Sequence, residues 1–280
     1  YSQIYYLVNI VYFGDILISK FMEVYDKKFY ICKGFETEKV NKKLIFYHLP
    51  KCAGTTFCNL LKNLFQSSER IFGSPTGERG TKSAYELFLS DKDKYLNPNI
   101  DFIFGHFQYQ ISKHFPNRLS ATILRDPIER CISHYNMSIE RNFIPKNTNI
   151  EECFKENIIP SNVITQIFSC SKSNDINLNN DNFNTALDII LNKINLVYDF
   201  NNTANLLNLI ISLYDFPNLM FQKLQKTKNN YFKRSKKNLE IIKHYNEYDI
   251  NLYSYLKKNN KFTNINYKNK RKKNSYFLYT

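Results

Sequence analysis

The apolar positions of this chain change rhythm several times, and each change predicts an element. Lys42–His48 (KKLIFYH) is a short β-rich apolar run without helical spacing, closed by Pro50, and predicts a buried strand. From Thr55 the spacing turns helical: Phe57, Leu60, Leu61, Leu64 and Phe65 fall at i, i+3, i+4, i+7 and i+8. Asp101–Gly105 (DFIFG) and Ser120–Leu124 (SATIL) predict two further buried strands. Asp126 and Pro127 then supply an N-cap and a first-turn proline, with Ile128, Cys131, Ile132 and Tyr135 following at helical spacing. Another strand is predicted at Ile194–Phe200, feeding a helix over Ala204–Leu213. A last helix is predicted over Leu239–Leu256, with Leu239, Ile242, Tyr245, Leu252 and Leu256 on one face.

Strands alternating with helices predict an α/β fold, a parallel sheet flanked by helices on both faces. Asn174–Asn184 reads as an Asn/Asp-rich loop, and Asn259–Lys273 as a basic, polar and mobile stretch without apolar period. Nothing resembles a linker between two cores. The expected organisation is an apolar N-terminal accessory segment (1–41), one catalytic domain (42–258) and a basic C-terminal tail (259–280). Ile4–Phe21 is strongly apolar but carries Asp15, Ser19 and Lys20. It falls short of the roughly 18–20 uninterrupted apolar residues of a membrane span. A buried or accessory helix is expected there, with membrane association through an anchor remnant as the alternative.

Composition narrows the classes. With 43% hydrophobic and 16% aromatic residues in 280, wholesale disorder is excluded; 7 Gly and 8 Pro exclude collagen-like sequence. The net charge of +14 would suit nucleic acid, a polyanionic glycan or a phosphorylated cofactor. Lys and Asn crowd every part of the chain, however, so charge alone selects no partner. The six cysteines form no CxxC pair and no metal spacing. Reduced thiols are expected, with a Cys153–Cys170 bridge the alternative in an oxidising compartment.

Chemistry enters at the turn between the first strand and its helix. LIFYH, LPKCAG and TTFCNLL read as strand, small-residue loop and helix, so unpaired backbone N–H groups and the positive end of a helix dipole meet at Gly54. That is an anion site. Lys51 adds a mobile charge, and the Thr55 and Thr56 hydroxyls can donate to phosphate oxygens. It is not a Walker A loop, in which Lys follows the second glycine; here Lys51 precedes Gly54. A second segment, TILRDPIERCISHYN, closes a strand with Arg125 and places Ser133 two turns into the next helix. Arg125 can fork two phosphate oxygens and Ser133 can add a hydroxyl.

Together, K-C-A-G-T-T after a strand and L-R-D-P-x-x-R-x-x-S-x-Y-N downstream resemble the two phosphate-binding segments of sulfotransferases. Those enzymes use 3′-phosphoadenosine 5′-phosphosulfate (PAPS). The form H-L-P-K-C-A-G-T-T most resembles the carbohydrate sulfotransferases that include the heparan sulfate 2-O and uronyl 2-O enzymes. The resemblance implies a P-loop-like sheet, with Lys51, Cys52, Ala53, Gly54, Thr55 and Thr56 holding the 5′-phosphosulfate and Arg125 and Ser133 the 3′-phosphate. FGHFQY (104–109) is similar to the family's G-H-x-x-Y segment, which implies that His106 is the general base. His48, His114, His134 and His244 match nothing. Asn162-x-x-Thr165 and Asp249-x-x-Leu252-Tyr253 are similar to the family's downstream course, and Lys226–Asn229 would be the loop over the 3′-phosphate.

The expected activity is therefore sulfuryl transfer from PAPS to a hydroxyl of a carbohydrate or polysaccharide acceptor, with His106 and Lys51 as catalytic residues and no metal. Two rivals share some of these features. A nucleotide kinase or other P-loop phosphotransferase would share the fold but lacks Walker A; a non-catalytic polyanion binder would rest on charge alone. Nucleic acid is not an expected partner, because the basic residues form no aromatic-interleaved array. The expected compartment is the cytoplasm for a microbial chain and the Golgi lumen for a eukaryotic one.

Overall fold

The structure, a computed structural model, describes residues 29–32, 37–71, 83–171, 178–222, 229–263 and 276–279. The apolar run Ile4–Phe21, residues 174–177, 226–228 and 264–273 lie outside the described residues. Strand β1 (Phe29–Cys32) comes first, then β2 (Leu44–Tyr47), helix α1 (Gly54–Leu64) and β3 (Ser68–Ile71). Helices α2 (Ala84–Ser90) and α3 (Lys92–Tyr95) precede β4 (Phe102–Gly105). A 3-10 turn at Tyr109–His114 leads to β5 (Leu119–Leu124) and α4 (Pro127–Glu140). Helices α5 (Ile150–Lys155), α6 (Val163–Ser169) and α7 (Asn180–Asn192) run to β6 (Leu196–Asp199). Then come α8 (Thr203–Leu213), β7 (Asn218–Gln222), α9 (Lys236–Tyr245), α10 (Glu247–Lys258) and β8 (Tyr276–Tyr279).

These elements group into two compact units. The larger is drawn from 42–201 and 227–263, the smaller from 202–226 and the two ends of the chain. In the larger unit β3, β4, β2, β5 and β6 lie in that order in one sheet, every pair parallel. The α/β class is thus observed. Strand β2 is central, and Leu44, Ile45, Phe46 and Tyr47 are all buried, as a strand covered on both faces requires. The chain leaves β2 toward β3 on one side, whereas β5 leads to β6 on the other. The strand order therefore reverses between β2 and β5. In open parallel sheets the crevice at the strands' carboxyl ends at such a point is where ligands bind. The loops after β2 and β5 border it.

Helix α4 starts as its sequence dictates: Asp126 Oδ1 accepts the Ile128 and Glu129 N–H groups (2.9 and 3.1 Å), with Pro127 in the first turn. One face, with Cys131, Ile132, Tyr135 and Ile139, packs against Ile150, Phe154, Phe232 and Ile242. That core fixes the helix beside the crevice.

Three expectations are corrected. The last helix is two, α9 and α10, broken at Asn246. The buried Asn246 amide donates to the Ile242 carbonyl (2.9 Å), while its Oδ1 accepts from Arg130 Nη2 and the Asn162 N–H. These bonds compete with the helix ladder. The Asn-rich loop ends earlier than expected, because Asn179 and Asn182 form a reciprocal capping box that starts α7 at Asn180. The tail likewise starts later: the Thr263 N–H donates to the Val197 carbonyl (2.7 Å), the Val197 N–H to Thr263 Oγ1 (2.9 Å), and Phe262 is buried.

In the smaller unit β7 pairs antiparallel with β1 and parallel with β8, an arrangement that the sequence reading did not contain. Helix α8 buries Leu206, Leu207, Ile210 and Ile211, and the Val40 N–H donates to the Leu213 carbonyl (2.9 Å). Cys52, Cys58, Cys131, Cys153 and Cys170 are free, so the Cys153–Cys170 bridge is not formed. Among the described residues no helix is long and apolar enough to cross a membrane.

Candidate active site

The β2–α1 loop is shaped by two left-handed residues, Lys51 (φ 65) and Ala53 (φ 60). Helix α1 has no side-chain cap, so the first-turn amides of Gly54, Thr55 and Thr56 point out of its N-terminus without intrahelical acceptors. Gly54 is buried against His48: a Cβ added there would meet His48 Cδ2 at 1.8 Å and Nε2 at 2.3 Å. The two ends of H-L-P-K-C-A-G thus pack on each other, and only glycine permits it. Thr55 is exposed and Thr56 half-buried. Cys52 is placed differently from the rest. Its thiol is buried, with Sγ 3.6 Å from the Pro50 carbonyl, and its N–H donates to the Leu49 carbonyl (3.3 Å). Burial pushes that thiol up to about 12, so it stays protonated and offers no reactive sulfur.

Arg125 joins the loops that follow β2 and β5. Its Nη1 donates to the Lys51 carbonyl (3.0 Å), and its guanidinium lies 4.4 Å from the centroid of the Phe200 ring. Burial, then the charges of Arg141 and Arg125, lower the Lys51 pKa; Glu140 acts in the opposite direction. Lys51, Arg125 and Arg141 therefore form a cationic cluster beside a helix N-terminus. Ser133 is half-buried on α4, two turns from the Asp126 cap.

His106 follows Gly105 at the end of β4. A Cβ at Gly105 would lie 2.2 Å from the Ile71 carbonyl oxygen, so the glycine lets β4 close onto β3. The His106 ring lies against that of His48, centroids 4.2 Å apart, and its Nδ1 is 2.5 Å from the His48 carbonyl oxygen. A carbonyl only accepts, so Nδ1 carries the proton and Nε2 keeps its lone pair. Burial lowers the His106 pKa to about 4; the bond to His48 opposes this and Arg70 adds to it. Burial, and then His106, Arg70 and Lys51, hold His48 well below the usual histidine range.

The downstream motifs meet behind α4. Asp249 Oδ1 accepts the Thr165 N–H (2.8 Å) and hydroxyl (2.9 Å), Oδ2 accepts the Ile164 N–H (2.9 Å), and Asn162 Oδ1 accepts the Asp249 N–H (3.1 Å). The Tyr253 hydroxyl donates to Asp199. Asn162, Thr165 and Asp249 thus form a buried brace between α6 and α10. Asn229 is exposed, and its N–H donates to Glu140 (3.0 Å).

Three residues near the site were missed from sequence. Arg141 ends the same helix as Ser133, eight residues on; projecting α4 as a helix puts both on neighbouring faces and would have found it. His134 sits among the charges of Arg130, Lys51, His106 and Arg141, which with burial lower it to about 3. His48 read only as a strand end, and its ring contact with His106 has no local signature. No protein-family model matches this chain, and no curated protein matches it in sequence. Among solved structures, a sulfotransferase from Alicyclobacillus acidocaldarius is similar, with 14% identity over 78% of this chain and 96% of that one and a TM-score of 0.46.

Proposed function

We propose that this chain is a sulfotransferase that moves the sulfuryl group of PAPS to a hydroxyl of a carbohydrate acceptor, with His106 as general base. The observation that carries the reading is His106 itself. Its bond to the His48 carbonyl leaves an unprotonated Nε2, and it stands with His48 near a loop where Lys51, Arg125 and uncapped amides await an anion. The motif resemblance supplies the identity of that anion.

In this reading Lys51, Gly54, Thr55 and Thr56 bind the 5′-phosphosulfate, Arg125 and Ser133 bind the 3′-phosphate, and Cys52 and Ala53 shape the loop. The acceptor hydroxyl oxygen forms a bond to sulfur as the bridging bond from sulfur to the phosphate oxygen breaks. The hydroxyl proton passes to His106 Nε2, and 3′-phosphoadenosine 5′-phosphate (PAP) leaves. Lys51 and the helix amides stabilise the charge that builds on the bridging oxygen. Positioning and electrostatics carry the rate, as in phosphoryl transfer.

The test is incubation with PAPS carrying radiolabelled sulfur and a panel of neutral, uronic and amino glycans, with Mg-ATP carrying labelled γ-phosphate in parallel. Label transfer from PAPS, lost by about 10²–10⁴ in His106→Ala while PAP binding persists, supports the reading. Transfer from ATP alone would establish the kinase rival. Binding of sulfated glycans without any transfer would establish the polyanion binder.

A further inference from the structure

Helix α4 carries a row of polar atoms that its own fold leaves unmatched. Arg130, His134 and Ser138 recur at every fourth position and so share one face. Arg130 is fully buried; its Nη2 donates to the Pro160 carbonyl (2.8 Å), Asn246 Oδ1 (3.1 Å) and Cys131 Sγ (3.1 Å). Its Nε and Nη1, with His134 Nδ1 and Ser138 Oγ, are buried without a hydrogen-bond partner. Each such atom costs about 1–3 kcal/mol. Their concentration on one helical face therefore calls for an occupant.

His134 is the member that reaches the site. The charged and titratable groups around it are Arg130 and Arg141 of its own helix, Lys51 of the β2–α1 loop and His106 at the end of β4. Glu140 is the acid beside Lys51. A buried imidazole among cations, with an idle ring nitrogen, is suited to an anion rather than to a second cation. We propose that His134 is a further donor-binding residue, whose unpartnered Nδ1 gives a hydrogen bond to an anionic oxygen of the nucleotide held at Lys51. This rests on the sulfotransferase reading above. Ser133 presents its hydroxyl from the adjacent position of the same turn, so the two residues would contact one ligand from neighbouring faces.

The experiment is calorimetric titration of PAP into the wild type, His134→Phe and His134→Asn at pH 7, with melting temperatures of the free proteins. Phe keeps the volume and removes the donor; Asn puts an amide donor close to where Nδ1 stands. The expected result is a loss of affinity of about tenfold to a hundredfold in Phe and recovery to within a few fold in Asn. The free Phe variant should melt no lower than the wild type, because an unmatched polar atom has gone. Wild-type affinity in Phe, or equal losses in both variants that track a lower melting temperature, would overturn the proposal and leave the sulfotransferase reading intact. Failure of the wild type to bind PAP would overturn that reading first, and this one with it. If the Phe variant does not fold, His134→Gln replaces it, since its amide reaches the Nε2 position instead. Weak binding by Gln beside strong binding by Asn supports the proposal, and equal binding overturns it.

Discussion

Gly54→Ala is the sharpest perturbation of this site because it adds a single methyl group. The new Cβ would lie 1.8 Å from His48 Cδ2, whereas ordinary contact begins at 3.4 Å, so the ring or the loop must give by about 1.6 Å. His48 is buried, and its ring lies 4.2 Å from that of His106. It cannot swing out without moving its partner. Overpacking of this kind costs about 1–3 kcal/mol, and the gain in helix propensity returns at most about 1 kcal/mol at an interior position and less at a first-turn one. A net loss of about 1–2 kcal/mol is expected. Sulfuryl transfer should fall by more than stability does, since a displacement of about 1 Å at a positioned base can cost on the order of 10²-fold. Urea unfolding of Gly54→Ala, His48→Ala and the double variant gives the coupling directly. The double variant should be more stable than the sum of the two singles by about 1 kcal/mol or more, because the clash needs both groups. Additive effects, or a Gly54→Ala variant more stable than wild type, would refute the reasoning.

Three further outcomes follow from the same groups. With Nε2 unprotonated down to about pH 4, kcat/KM should stay flat from about pH 8 to 5.5 and then fall tenfold per unit below about pH 4; an acid limb near pH 6.5 would show that His106 is not the base. His106 (about 4) and His134 (about 3) have folded-state pKa values below the unfolded value of about 6.5. Protons therefore favour the unfolded chain. Stability should be unaffected above about pH 7 and fall below about pH 6.5, by up to about 1.4 kcal/mol per pH unit for each histidine. Urea midpoints at pH 7 and 5 measure this, and His134→Phe should lessen the slope. Lys51→Ala should lower transfer by on the order of 10²-fold or more while leaving the free protein as stable as before, because it relieves crowding with Arg125 and Arg141. Near-normal turnover in that variant would sink the role given to Lys51.

The central strands were legible because a strand covered on both faces must be an unbroken apolar run, as LIFY and FIFG are. Strand β3 was not. It lies at the edge of the sheet as SERI, with only Ile71 buried, and edge pairing needs no apolar signature. The α9–α10 break hid behind a continuous apolar face because its cause, Asn246, is bonded to Arg130 and Asn162, far away in sequence. The candidate site divides in the same way. The loop and its lysine are contiguous and could be read as one chemical unit. The hydrogen bond that sets the His106 tautomer joins residues 58 positions apart and follows from the adjacency of β2 and β4, which a linear reading does not contain.

Lys51 and Ala53 both occupy a backbone conformation that glycine adopts freely and other residues resist, at roughly 1–2 kcal/mol each. The loop is thus a loaded spring in an otherwise relaxed sheet. Ala53→Gly would relax it, and the free protein would gain little, because a looser loop also has more freedom to lose on folding. What changes is readiness. Held in this shape beforehand, the loop meets an incoming anion without first having to order itself. A rigid receptor of that kind recognises its ligand by shape as well as by charge, which distinguishes it from a merely basic surface.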